Sequence, residues 1–295
     1  MRPMSEVILS LRYVFVIAVF SALIYFCYTY RADLLYSIKN HYPVFGLLIV
    51  LSLLHLLGLA KNFMLIIGFK GAYVSVLNMW SLSSLLNYLG PFQPGLAVRA
   101  VYFKKNNISV PQVFLATARQ IHINVWMGIG VSAFFLMFSE AGYAKLQICL
   151  ASIFLLWPIF LHFLSKAIGH IQIWRKFSLE DLLLFKLSCT WIPLLLYALV
   201  AFMFFITYLS YEADIGFAEV SVLSVVTKLS GIAPITPGNL GVQEAIIVLT
   251  KQLSGLSTGD VCGIAFLIRV SHMLACVFMY FFTLVCIRVI AAKER

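Results

Sequence analysis

Four charged side chains within apolar segments are the first candidates for chemistry: Arg99, Arg119, Glu244 and Arg269. An ionisable group inside a membrane span costs about 2.5–3.5 kcal/mol, so each needs a physical explanation. An arginine is always charged and grips phosphate through two parallel hydrogen bonds. The functional interpretation is therefore a cavity that receives an anion. The structural alternatives are snorkelling of Arg99 to the membrane surface and a buried ion pair for Arg119 and Arg269.

Glu244 has three interpretations: a buried salt bridge with Arg269 or Arg99, a proton-coupled carboxylate, or a group exposed in a water-filled vestibule. His122 and His272 each follow an arginine by three residues, which places both members of a pair on one helix face. These histidines are either hydrogen-bonded structural groups or proton relays.

The elements that must hold these residues are membrane helices. Hydrophobic residues make up 62% of the 295-residue chain and charged residues 11%, less than half the usual share of about 25% in soluble proteins. The six cysteines lie in apolar runs without ligand spacing, which predicts packing roles and neither a metal nor a cofactor. The net charge of +10 indicates affinity for anionic lipid headgroups, with no nucleic-acid partner.

A spanning helix needs about 20 apolar residues. Six runs qualify, and two further apolar stretches, 72–103 and 218–250, are interrupted by proline and glycine. The six runs are 12–30, 42–60, 111–138, 144–164, 186–210 and 260–288. The fold class is therefore an all-α polytopic membrane protein with about six spanning helices, forming one transmembrane domain over residues 1–295.

The alternation of basic and acidic loops predicts the orientation of the chain in the membrane. This prediction requires each interrupted stretch to return to the side of the membrane from which it entered. Cytoplasmic loops then hold most of the basic residues, while the acidic segments 139–143 and 211–219 lie outside. Arg31, Lys39 and the region of Lys251 count against this arrangement. We expect an inner-membrane protein with both termini in the cytoplasm.

The interrupted stretches repeat a motif. Residues 90–100 read "GPFQPGLAVRA" and residues 233–245 read "APITPGNLGVQEA". An odd number of spans between them predicts an inverted repeat with halves of about 1–140 and 141–295, as in many secondary transporters. The residues predicted to form the two re-entrant turns are Pro91, Pro94, Gly95, Pro234, Pro237, Gly238 and Gly241.

Proline ends a helix and glycine permits the turn, so a new helix starts after each Pro-Gly pair. Its free N–H groups and positive dipole end then lie near the membrane midplane, where they can receive an anion. Asn239 is positioned to cap the second of these helices. The structural alternative is a tight packing turn that binds no ligand.

At these motifs the sequence resembles the flippase-like membrane domain of lysylphosphatidylglycerol synthases and its stand-alone relatives. The specific part is "PITPGNLGVQEA" (234–245) followed by Arg269, and "LNYLGPFQPGLAVRAVYFKKNNIS" matches in the first half. The family usually has Glu-Arg-x-x-Asp where this chain has Ala118 to His122, and glycine where it has Ala97. The aminoacyl-transfer domain of the full synthases is absent from this sequence.

The resemblance implies translocation of a lipid, either an anionic phospholipid or a polyprenyl-phosphate-linked sugar, and no enzymatic activity. The predicted substrate-binding residues are Arg99, Arg119, Asn239, Glu244 and Arg269. Two alternatives stay open. One is a non-transporting partner of proteins that synthesise envelope lipids or polysaccharides. The other is a membrane glycosyltransferase, which the lack of an Asp-x-Asp motif disfavours.

Overall fold

The computed structural model describes residue 28 and residues 31–89, 94–138, 145–156, 188–230, 242–249 and 251–293. Within these ranges all regular elements are α-helices, as the composition predicts. They are α1 (Arg31–Asn40), α2 (Tyr42–Ile67), α3 (Tyr73–Leu89), α4 (Pro94–Lys105), α5 (Val110–Leu136), α6 (Lys145–Leu156), α7 (Ser188–Ser210), α8 (Phe217–Ser230), α9 (Val242–Leu249), α10 (Lys251–Ser254) and α11 (Thr258–Lys293).

Three helices among the described residues are long and apolar enough to cross a bilayer: α2, the part of α7 from Trp191, and α11 up to Ala292. They correspond to the predicted spans 42–60, 186–210 and 260–288. Helix α5 covers most of the predicted span 111–138 and ends at Leu136, and α6 is a shorter apolar helix inside 144–164. The predicted span 12–30 lies outside the described residues, and the total of six stays a prediction.

Local signals fix the ends of α2. Pro43 stands in the first turn, where its missing N–H leaves no hydrogen bond unmade. At the other end Gly68 adopts a left-handed conformation with φ of 70°. The N–H groups of Gly68 and Phe69 then donate to the carbonyl oxygens of Leu65 and Met64 at 3.2 and 3.1 Å. This glycine-terminated cap satisfies carbonyls that would otherwise lack partners.

The first interrupted stretch forms two helices, α3 and α4, held together next to the Pro-Gly pair. The N–H of Gly95 donates to Oδ1 of Asn87 at 2.8 Å, and Oγ of Ser83 donates to the Gly95 carbonyl at 2.9 Å. A Cβ atom at position 95 would collide with the Ser83 carbonyl and with both side chains. Glycine is therefore required for the close approach of α4 to α3. Pro91 and the second interruption, 231–241, lie outside the described residues.

Helix α11 is central to the packing. Its later half joins α2, α3 and α4 in an apolar cluster that contains Phe63, Trp80 and Phe103. Its earlier half packs with α7, α8 and α9 around Tyr208 and Ile247. One helix thus connects elements of the two predicted halves, and the candidate site lies among the same helices.

Candidate functional site

A cavity of about 170 Å³ lies where α2, α3, α7, α8, α9 and α11 meet. Helices α2 and α3 belong to the first predicted half of the chain, and the other four belong to the second. Apolar side chains of α7, α9 and α11 form part of the wall. The polar lining side chains are His55, Tyr88, Ser224, Thr227, Lys228, Gln243, Arg269 and His272.

Lys228, on the last turn of α8, brings a primary ammonium group to this cavity. Its Nζ atom is buried and has no hydrogen-bond partner among the described residues. The ammonium lies 4.0 Å from the centroid of the Tyr197 ring, a cation–π contact. That contact offsets part of the cost of desolvating the charge, but it satisfies none of the three N–H donors of the ammonium by a hydrogen bond to a described residue.

Arg269, on α11, is held in position by a neighbouring amide. Its Nη2 donates to Oε1 of Gln243 on α9 at 2.8 Å. Nε2 of Gln243 lies 3.5 Å from the Thr227 carbonyl on α8, a long contact that orients the amide. The guanidinium also lies 6.0 Å from the centroid of the Tyr88 ring. The arginine therefore approaches the cavity with a defined orientation.

Tyr88 and two histidines complete the polar lining. The Tyr88 hydroxyl and Nδ1 of His272 are hydrogen-bonded at 2.9 Å, which links α3 to α11. The ring of His55, on α2, lies 6.0 Å from that of His272 at an edge-on angle. Nε2 of His55 is buried without a hydrogen-bond partner among the described residues. Nε2 of His55 is therefore a donor or acceptor that a polar ligand in the cavity can use.

Among the described residues that line the cavity, the charges are unbalanced. Lys228 and Arg269 are both cationic side chains, and the described residues that line the cavity include no aspartate or glutamate. A buried charge is costly unless it is paired. Because the Lys228 ammonium has no hydrogen-bond partner among the described residues, the arrangement favours an anion as the ligand. The described residues also contain no cluster of three or more His, Cys, Asp or Glu that could hold a metal ion.

Arg99 lies elsewhere. Its guanidinium stacks 3.7 Å from the centroid of the Trp80 ring, and Nε donates to Oγ of Ser83 at 2.8 Å. The same Ser83 hydroxyl donates to the Gly95 carbonyl, so the arginine is tied to the packing of α4 against α3. Arg99 is not among the residues that line the cavity.

The other predicted residues are distributed as follows. Arg119 is half-buried on α5 and does not line the cavity, whereas Arg269 does. Glu244 is part of α9, but its side chain lies outside the described residues, as do Asn239 and Gly241. The substrate-binding role of each remains a prediction.

Sequence reasoning missed Lys228, Gln243 and Tyr88. Lys228 did carry a signal, because a lone lysine follows the apolar run "VSVLSVVT". Gln243 and Tyr88 carried none, since amide and phenol groups are common in membrane helices and only the packing shows which of them meet.

Comparison with known proteins identifies a membrane family, in agreement with the long apolar helices of the structure. No curated protein matches the chain. A family model described as the lysylphosphatidylglycerol synthase TM region matches residues 9–279. Because the match covers nearly all of the 295 residues, the resemblance noted at the Pro-Gly motifs is confirmed, and this chain is an integral membrane protein of the lysylphosphatidylglycerol synthase TM-region family.

Proposed function

We propose that this protein is a flippase-type transporter that moves a lipid with an anionic headgroup across the inner membrane. The observation that carries the proposal is the cavity with two cations, Lys228 and Arg269, and no carboxylate among the described lining residues. A phospholipid or a polyprenyl-phosphate-linked sugar offers the required charge. The protein acts by binding and moving the lipid and makes no covalent change to it.

The physical task of such a transporter is to lower the cost of taking a phosphate into the bilayer. A bare phosphate loses its hydration there, whereas a phosphate between an ammonium and a guanidinium exchanges water for charge-assisted hydrogen bonds. Gln243 holds the guanidinium before the lipid arrives. Less entropy is then lost on binding than for a freely rotating side chain.

The two Pro-Gly stretches supply the remaining part of the proposal. We expect them to be inverted re-entrant segments whose helix N-termini face the same polar pathway. For the first segment, the hydrogen bonds of Gly95 with Asn87 and Ser83 support only a position of the start of α4 against α3, inside the bundle. Basic residues in the predicted cytoplasmic loops support cytoplasmic termini.

Lipid movement in proteoliposomes tests the proposal. The purified protein would be reconstituted with labelled anionic, zwitterionic and polyprenyl-phosphate lipids, and translocation would be followed for wild type, Lys228→Met and Arg269→Gln. We expect one anionic class to move and each substitution to slow it by about tenfold or more. Lys61→Met is the matched control, because Lys61 is exposed on α2 away from the cavity.

Two outcomes would contradict parts of the proposal. Movement that persists at the wild-type rate in both cavity variants would remove the cavity from the mechanism. No movement of any lipid class, with or without a proton gradient, would favour the non-transporting partner of an envelope-synthesis complex, and co-purification of such proteins would then be the next measurement.

A further inference from the structure

His55, on α2, is a buried titratable group to which the proposed function gives no task. Its side chain lines the cavity that contains Lys228 and Arg269, called the cationic cavity below. Its Nε2 atom is buried and has no hydrogen-bond partner among the described residues. A buried polar atom without a partner costs free energy in a folded protein. Imidazole is also the side chain that ordinarily gains or loses a proton near neutral pH. His55 is therefore a candidate site for a proton.

The other titratable groups of the cationic cavity come from three helices. Among the described residues, α7 and α9 add only uncharged side chains to the lining, and no residue of α1 or α5 lines it. The side chain of Glu244, on α9, lies outside the described residues. The groups that share the lining with His55 are Tyr88 from α3, Lys228 from α8, and Arg269 and His272 from α11.

The two histidines of the cationic cavity differ in their contacts. Their rings lie 6.0 Å apart at an edge-on angle. Nδ1 of His272 shares a hydrogen bond of 2.9 Å with the Tyr88 hydroxyl and lies 3.8 Å from Sγ of Cys276. Nε2 of His55 has no comparable contact among the described residues. His55 is therefore the histidine whose Nε2 can donate to a ligand without breaking a hydrogen bond within the protein.

A proton on His55 changes both the charge and the hydrogen bonding of the cationic cavity. Both nitrogens of a protonated imidazole are donors, so Nε2 can then donate to an oxygen of an anion. Without an anion, the added charge is repelled by Lys228 and Arg269. With an anion among the three side chains, attraction opposes that repulsion. The proton and the anion therefore each favour binding of the other, by the same factor.

Lys228 is the competing site for the proton. Its ammonium lies 4.0 Å from the centroid of the Tyr197 ring, and this cation–π contact stabilises the charged form. The charge of His55 has no such support at Nε2 from the described residues. It therefore depends more strongly on an anion in the cavity.

We infer that the cationic cavity binds its anion together with one proton, which His55 takes up. This inference rests on the proposed function. The proton comes from the aqueous phase, adds to the lone pair of an imidazole nitrogen and leaves again when the anion is released. The affinity for the anion is then higher at lower pH. A site that opens to the two sides of a membrane in turn thus loads on the more acidic side and releases on the more alkaline side.

Binding of probes with a constant charge tests the inference. Phosphatidylglycerol and inorganic sulfate are suitable, because a phosphodiester and sulfate keep their charge over the range in which imidazole titrates. Each would be titrated calorimetrically into the detergent-solubilised full chain, in two buffers that differ in ionisation enthalpy, so that the protons taken up are counted. The variants are His55→Gln and Lys228→Met. His122→Gln is the matched control, because His122 lies on α5 and does not line the cavity.

We expect wild type and His122→Gln to take up about one proton per anion, and to bind about tenfold more tightly at about pH 5.5 than at about pH 7.5. In His55→Gln the proton uptake should fall towards zero and the pH dependence should flatten. The wild-type proton count does not depend on the folding of any variant.

Two kinds of failure are distinguishable. No proton uptake in wild type, or uptake that persists in His55→Gln because the proton binds at Lys228, would overturn the inference and leave the proposed function intact. Binding that is unchanged in Lys228→Met, or no binding of either probe at any pH, would contradict the proposed function and the inference with it.

Discussion

The ammonium of Lys228 on α8 lies 4.0 Å from the centroid of the Tyr197 ring on α7. The Tyr197 hydroxyl donates to the Asn124 carbonyl on α5 at 2.7 Å, and the side chain is fully buried. One tyrosine thus fixes the position of a buried cation and joins three helices. Its ring and its hydroxyl can be tested separately.

Replacement of Tyr197 by phenylalanine keeps the ring and removes the hydroxyl. We expect a loss of about 1 kcal/mol in the free energy of unfolding, because the Asn124 carbonyl loses its side-chain donor, with little change in lipid binding. Tyr197→Leu also removes the cation–π contact and should weaken binding of an anionic lipid. Thermal unfolding and lipid binding of both variants would be compared, and equal binding in the two would contradict the role of the ring.

Lys228→Met should stabilise the protein while it slows lipid movement by about tenfold or more. Methionine has a similar length and removes a buried charge that has no hydrogen-bond partner among the described residues. We expect the free energy of unfolding to rise by roughly 1–3 kcal/mol. Thermal unfolding in detergent and the transport assay would be run on the same preparation. A destabilised variant would show that Lys228 is a structural residue.

Gly95→Ala should disrupt the contact between α4 and α3. The added methyl group meets the Ser83 carbonyl, which is backbone and cannot rotate away. We expect a loss of about 1–3 kcal/mol in stability, together with lower transport. Gly46→Ala is the control, since nothing lies within 4 Å of its Cβ position inside α2 and alanine favours a helix. Equal stability of the two variants would contradict the packing role of Gly95.

Stability should also depend on the protonation of His41, which precedes α2 and lies outside the spans. Burial lowers the pKa of His41 below its ordinary value of 6.5, and the charge of Asp260 partly opposes that shift. The His41 ring stacks on that of Tyr211, with centroids 4.0 Å apart, and burial raises the pKa of the Tyr211 hydroxyl to about 12. Both rings are therefore neutral near pH 7.

The direction in which stability changes with pH follows from the lowered pKa of His41. The unfolded chain takes up a proton at His41 before the folded chain does, so this contribution to stability is complete above pH 6.5. It falls as the pH drops through 6.5 towards the lower pKa of the folded state. Thermal unfolding of wild type and His41→Gln, between about pH 8 and about pH 5, measures this contribution of His41 to stability. The variant should lose stability less steeply over the acidic half, and parallel curves would contradict the assignment.

The sequence predicted the helical class and the positions of the strongest spans well, because continuous apolar runs constrain helices directly. The segment 42–60 lies within α2, and 260–288 lies within α11. The Pro-Gly pair also marked the start of α4 correctly, since proline at the first turn and glycine in close contact both follow from local chemistry.

The sequence was a poorer guide to which side chains meet at the cavity. Arg99 and Arg269 were expected to line one cavity, but an aromatic partner decides where Arg99 lies, and Trp80 is 19 positions away in the sequence. Lys228 was not among the predicted site residues, although it follows an apolar run. Its burial depends on α7 and α9 packing around it, which no local pattern records.

Helix α11 has one further consequence. Its 36 residues extend about 54 Å, whereas the hydrocarbon core of a bilayer is about 30 Å thick. The helix must therefore tilt or project from the membrane, and it carries Arg269 and His272 with it. A change in bilayer thickness therefore acts on a helix that lines the cavity, and its packing against the other helices resists the change in tilt.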